Sequence, residues 1–162
     1  MYRRILVAVD GSGTSRLALL QGIELAREPQ ARLRLVHVVD EMAVNVGPAY
    51  TPNDFWRAAR KAGERVLEEA KARALKAGVE PETKLLEIRT LGALVRRVAS
   101  SIVAEAERWE ADLIVIGTHG RRGLSKLVLG STADGVLRTA GRPVLLIPGS
   151  GLTARRARSR RA

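Results

Sequence analysis

The sequence predicts a doubly wound α/β domain: a five-stranded parallel sheet in the order 3-2-1-4-5 with helices on both faces. Three observations predict it. Five short apolar runs recur along the 162 residues, separated by longer segments with apolar residues at helical spacing. The run at residues 5–9 is continuous rather than alternating, as a strand covered on both faces requires. Strands that alternate with helices return to one sheet through right-handed crossovers, which yield a parallel sheet between two helical layers.

The elements follow in chain order. Residues 5–9 (Ile-Leu-Val-Ala-Val) form the first strand, and Asp10 ends it. A helix over 15–27 carries Leu19, Ile23 and Ala26 on one face. Residues 33–39 form the second strand. The stretch 42–52 holds Gly47, Pro48 and Pro52 and is long for a strand–helix connection, which suits a lid. A long helix spans about 53–76, with Val66, Ala70 and Ala74 in register. Residues 83–89 mix Lys84, Glu87 and Arg89 with Leu85, Leu86 and Ile88, the composition of an edge strand. Val95, Val98, Ile102, Ala106 and Trp109 stripe the third helix. Residues 113–116 form the fourth strand. A last helix over 131–140 stops at Gly141. The fifth strand, 144–147, is bracketed by Pro143 and Pro148, which suits an edge.

Composition bounds the function. The chain is 46% hydrophobic and 28% charged, ordinary for a globular domain. It has no run near the ~20 apolar residues of a membrane span, and the run before Asp10 is shorter than a signal h-region of roughly 7–15 residues. The expectation is a cytoplasmic protein. With no cysteine there are no disulfides, thiolate chemistry or cysteine-held metals, and two histidines far apart disfavour a histidine metal site. The net charge is +11, but five arginines (155, 156, 158, 160 and 161) fall in the last eight residues, and without them the charge is +6. Residues 149–162 read as a basic, disordered tail. An electrostatic arm for nucleic acid or anionic lipid is the rival reading, and no nucleic-acid motif accompanies it.

A glycine constellation points to a ligand. Gly117-Thr118-His119-Gly120 follows the fourth strand directly, and nine residues later Gly130-Ser131-Thr132 opens the last helix. Glycines let backbone approach a ligand, and the N–H groups of a helix start attract anions. In open α/β sheets ligands bind beyond the carboxyl ends of the strands at the topological switch point, where Asp10 and Gly117 would face each other.

Taken with Val9-Asp10-Gly11-Ser12, Val36-His37-Val38, the run from Ala111 to Gly117 and the run from Arg142 to Ile147, this spacing resembles the universal stress protein family in its ATP-binding form, over about residues 3–148. Thr90-Leu91-Gly92-Ala93-Leu94 departs from the Gly-x-Pro turn of many relatives. The resemblance implies residues 1–148 as the nucleotide-binding domain and a homodimer formed through the last strand. It also implies roles. Asp10 would sit near the ribose or a phosphate-bound Mg2+. The backbone of Val38 would read the adenine edge. Gly117 would admit the ribose and first phosphate. Gly120, Gly130, Ser131 and Thr132 would hold phosphates. Thr118 and His119 are loop contacts, and Arg121, Arg122 and Lys126 would add positive charge.

Each reading has a plainer rival. Asp10-Gly11-Ser12 could be only a turn feeding the first helix, capped by Ser12 or Ser15, and Ser131 could be only a cap. Gly117 and Gly120 could be turn glycines, and Arg121 and Arg122 solvated charges. His37 reads as a satisfied core or switch-edge residue, and Trp56 and Trp109 as packing.

Catalysis has little to stand on. There is no Gly-Lys-Ser/Thr phosphate loop and no second carboxylate beside Asp10. The expectation is ATP acting as a regulatory ligand, hydrolysed slowly at most. The alternatives are a nucleotide-independent interaction module or weak nucleic-acid binding through the tail.

Overall fold

The computed structural model describes residues 2–40, 52–88, 94–119 and 129–149. Among the described residues nine elements alternate: β1 (Arg4–Ala8), α1 (Gly13–Leu25), β2 (Arg32–Asp40), α2 (Pro52–Lys76), β3 (Glu82–Ile88), α3 (Leu94–Arg108), β4 (Leu113–Gly117), α4 (Ser131–Thr139) and β5 (Val144–Ile147). The sheet is parallel throughout in the order β3-β2-β1-β4-β5, as the sequence predicts. The mixed third strand and the proline-flanked fifth strand are the two edges.

Strand alternation divides the core. Ile5, Val7 and Val9, with Leu33, Leu35, Leu113 and Val115, pack under α1 and α2. Leu6 and Ala8, with Val36, Ile114 and Ile116, pack under α3 and α4. Both faces of β1 and β4 are therefore apolar, which is why their sequences show no alternation.

Helix ends differ from the expected bounds for local reasons. α1 begins at Gly13, two residues early, because Ser12 caps it: the Ser12 Oγ accepts from the Ser15 N–H at 3.2 Å. Trp109 lies one residue past α3 and is 4% exposed.

An ionic cluster crosses the amino end of the sheet. Arg34 on β2 bonds Glu105 of α3 at 2.6 Å and also pairs with Glu82 of β3, which accepts from Arg32 at 2.5 Å. Arg34 and Arg4 lie over the Trp109 ring, 4.8 and 5.5 Å from its centroid. Burial pushes the Glu82 carboxyl up, but the Arg34 and Arg32 guanidinium groups outweigh it and hold the group below its ordinary value of 4.5. A carboxylate held low contributes stability above its unfolded value and loses it as pH falls through the folded one. Urea midpoints are therefore expected to fall as pH drops below about 4.5, and more shallowly in Glu82→Gln. An unchanged pH slope in that variant would refute the assignment.

Candidate functional site

The carboxyl edge between β1 and β4 is where the connections part. α1 leaves β1 toward one face of the sheet and α4 leaves β4 toward the other, opening a crevice at the switch point. After β1 the chain turns at once. Asp10 accepts the Ser12 N–H on Oδ1 at 2.9 Å, and its own N–H donates to Ser15 Oγ at 3.0 Å. Between them Gly11 sits at φ +81°, a left-handed conformation that favours glycine. The turn feeding α1 is thus present, with Ser12 rather than Ser15 as the cap. Asp10 occupies it half-buried at the crevice rim.

The β4 side is tied to this turn by a residue outside the glycine constellation, Thr14. Thr14 Oγ1 donates to the His119 carbonyl, and Ser12 Oγ lies 3.4 Å from the same oxygen and 3.2 Å from Thr14 Oγ1. A hydroxyl two residues beyond a serine cap was the available signal. Gly117 is explained by the same contact: a Cβ there would lie 2.8 Å from the Thr14 carbonyl carbon, Cβ and Oγ1. The space that Gly117 leaves is filled by α1, so its first role is to let that helix approach β4. His119 Nδ1 lies 2.9 Å from Thr118 Oγ1, and its buried Nε2 has no hydrogen-bond partner among the described residues.

Thr118 also anchors the start of α4. Its N–H donates to Ile147 at 2.9 Å, and its carbonyl accepts from the Gly130 N–H at 2.7 Å. Gly130 is the N-cap, at φ −63° and ψ 145°, with no side-chain cap. Ser131 is therefore the first helical residue and not the cap. The N–H groups of Ser131, Thr132 and Ala133 have no carbonyl within the helix to meet, and they stand at its positive end beside two hydroxyls. That donor set fits an anion such as phosphate. Asp134 in the first turn opposes an anion, but it is paired with Arg138 at 2.9 Å.

Val38 lies across β1 on the far wall. Val9 donates to the Val36 carbonyl at 2.9 Å, so Val38, two residues on, presents its backbone groups toward the same side. The structure thus brings Asp10, Gly117, Thr118, His119, Gly130, Ser131 and Thr132 to one crevice, with Val38 at its border. Gly120, Arg121, Arg122 and Lys126 lie outside the described residues, as do residues 42–51 of the lid expected at 42–52, residues 90–93 of the turn at 90–94 and residues 150–162 of the tail. A separate shallow groove between α1 and α2 is lined by Gly11, Arg16, Val66, Glu69 and Arg73, and by none of the β4 or α4 residues.

The model of the Universal stress protein family matches residues 1–148. The chain is 36% identical over 155 residues to the universal stress protein YxiE of Bacillus subtilis, covering 91% of this chain and 99% of that one. It is similar to a solved structure from the universal stress protein family of Burkholderia pseudomallei, with 38% identity, a TM-score of 0.70, and 91% and 97% of the two chains covered. Two further similar structures hold nucleotides. One is the universal stress protein from Archaeoglobus fulgidus in complex with dAMP, at 27% identity and a TM-score of 0.62 over 90% and 98% of the chains. The other is a universal stress protein in complex with cAMP, at 26% identity and 0.65 over 92% and 99%.

Proposed function

The chain belongs to the universal stress protein family, and from that premise we propose that it binds an adenine nucleotide, ATP foremost, as a regulatory ligand in the crevice between β1 and β4. The observation that carries this reading is the start of α4, which has no side-chain cap and is held against the end of β4 by the Gly130–Thr118 bond. Ser131 and Thr132 hold phosphate oxygens, and Gly130 lets them approach. Asp10 stands by the ribose, or by a Mg2+ that arrives on the phosphates. Val38 meets the base. Relatives in complex with dAMP and cAMP support the adenine class.

The nucleotide works by population shift. It changes conformation or association only by the difference between its affinities for two states. The association we assign is a homodimer through β5, an edge strand whose four residues are all half-buried and whose outer backbone groups need a partner.

Titration calorimetry with ATP and Mg2+ tests the reading. Binding at micromolar Kd, about −8 kcal/mol, is expected, and it is lost in Gly130→Val. The φ and ψ of Gly130 are open to any residue, so that variant keeps the backbone while crowding the phosphates. A folded wild-type protein that binds neither ATP nor AMP would overturn the reading in favour of a nucleotide-independent module.

A further inference from the structure

The hydrogen-bond ladder between β1 and β2 stops one rung early, and a buried histidine accounts for it. The register runs from Arg4↔Arg32 to Ala8↔Val36, and Val9 still donates to the Val36 carbonyl at 2.9 Å. A regular parallel ladder would next close the Val38 N–H onto the Val9 carbonyl. That carbonyl instead lies 2.7 Å from His37 Nδ1. A carbonyl can only accept, so Nδ1 carries the proton and donates. His37 is 7% exposed and its ring is closely held: a Cβ on Gly63 of α2 would lie 2.7 Å from His37 Cδ2, and 3.0 Å from both Leu85 Cδ1 and Val39 Cγ2. Gly63 thus leaves the space that the ring fills. Beyond this point β1 has already turned away through the Asp10–Ser12 bond.

We infer that His37 is a positioning residue for the base: by taking the Val9 carbonyl on its Nδ1–H it ends the β1–β2 ladder and leaves the Val38 N–H and C=O directed into the crevice. This rests on the adenine-nucleotide reading. A donor and an acceptor side by side match the N1 acceptor and exocyclic amine of adenine. Hypoxanthine offers N1–H and a carbonyl in the same places, and so presents donor to donor and acceptor to acceptor. A site built on such paired groups rejects the mismatched base because its own polar groups are then left unpaired.

The test compares His37→Leu, which removes the donor, with His37→Asn, whose amide N–H can reach the Val9 carbonyl. In nucleotide-free protein, NMR amide exchange at Val38 is expected to be fast in wild type and H37N. In H37L, where the Val38 N–H closes on Val9, it is expected to slow by at least about tenfold. In parallel, AMP should bind about tenfold or more tightly than IMP to wild type and H37N, the worth of one or two hydrogen bonds. That ratio should fall toward one in H37L, with ribose 5-phosphate affinity unchanged. Gly63→Ala, which pushes the ring off Val9 without altering it chemically, gives a second route and should also slow Val38 exchange. Exchange and base preference unmoved in both H37L and Gly63→Ala, or H37N behaving as H37L does, would overturn the inference. Should wild type bind neither AMP nor IMP, the nucleotide reading fails by itself, and the exchange data still decide the role of His37.

Discussion

Glu105→Ala is expected to cost about 3 kcal/mol in urea unfolding, against a total of roughly 5–15 kcal/mol for a domain. Glu105 is 1% exposed, and its carboxylate is held by Arg34 at 2.6 Å and by Arg108. Truncating it opens a cavity and strips Arg34, whose side chain is only 19% exposed, of its buried partner. Losing one member of a buried pair costs about 3–5 kcal/mol, and the low end applies because Arg34 keeps Glu82. Arg34→Met should be worse, about 4 kcal/mol, because it leaves the buried carboxylate with Arg108 alone, an arm that is 66% exposed. The double variant Arg34→Met/Glu105→Leu removes both charges and should recover to within about 1 kcal/mol of wild type, since desolvation of the pair offsets most of its attraction. A double variant as unstable as the sum of the singles would refute this account and assign the cost to packing.

That cluster could not be read from the sequence, for a physical reason. Arg34 meets Glu82 and Glu105 across 48 and 71 positions of chain, and which charges meet depends on strand register and helix placement. Nothing in the local sequence around Arg34, Glu82 or Glu105 marks them as partners. What could be read was whatever one element encodes alone: the continuous apolar runs of β1 and β4, the prolines around β5, and the helical stripe through Ile102 and Ala106. The crevice was legible to the same depth. Strand-end positions placed Asp10 and Gly117 together, because the strand order fixes which strand ends are neighbours. Thr14 was not legible, because a threonine in a first helical turn looks ordinary until the approach of α1 to β4 is known. His37 reads from sequence as a satisfied core or switch-edge residue, and its bond to Val9 is the particular that only the register supplies.

The approach of α1 to β4 separates Gly117 from Gly130, both of them expected nucleotide contacts. Gly117→Val is expected to destabilise the protein by about 3 kcal/mol and Gly117→Ala by about 2. The added Cβ would lie 2.8 Å from the Thr14 carbonyl carbon, a backbone atom that cannot swing aside as a side-chain tip can. Relief requires α1 to move, and that breaks the bonds from Thr14 and Ser12 to the His119 carbonyl. Removing the Thr14 side chain as well, in Gly117→Ala/Thr14→Gly, clears Cβ and Oγ1 but leaves the carbonyl carbon, so recovery should be partial. Gly130 has no such constraint in its backbone angles, and Gly130→Val should shift stability by no more than about 1 kcal/mol. Nucleotide binding lost in a Gly117 variant therefore reports displacement of α1 as much as contact with the ligand, whereas loss in Gly130→Val reports the phosphate site. Urea midpoints for the two glycines measured side by side decide it. Gly117→Ala as stable as wild type would mean that α1 yields at no cost, and would return Gly117 to the ligand.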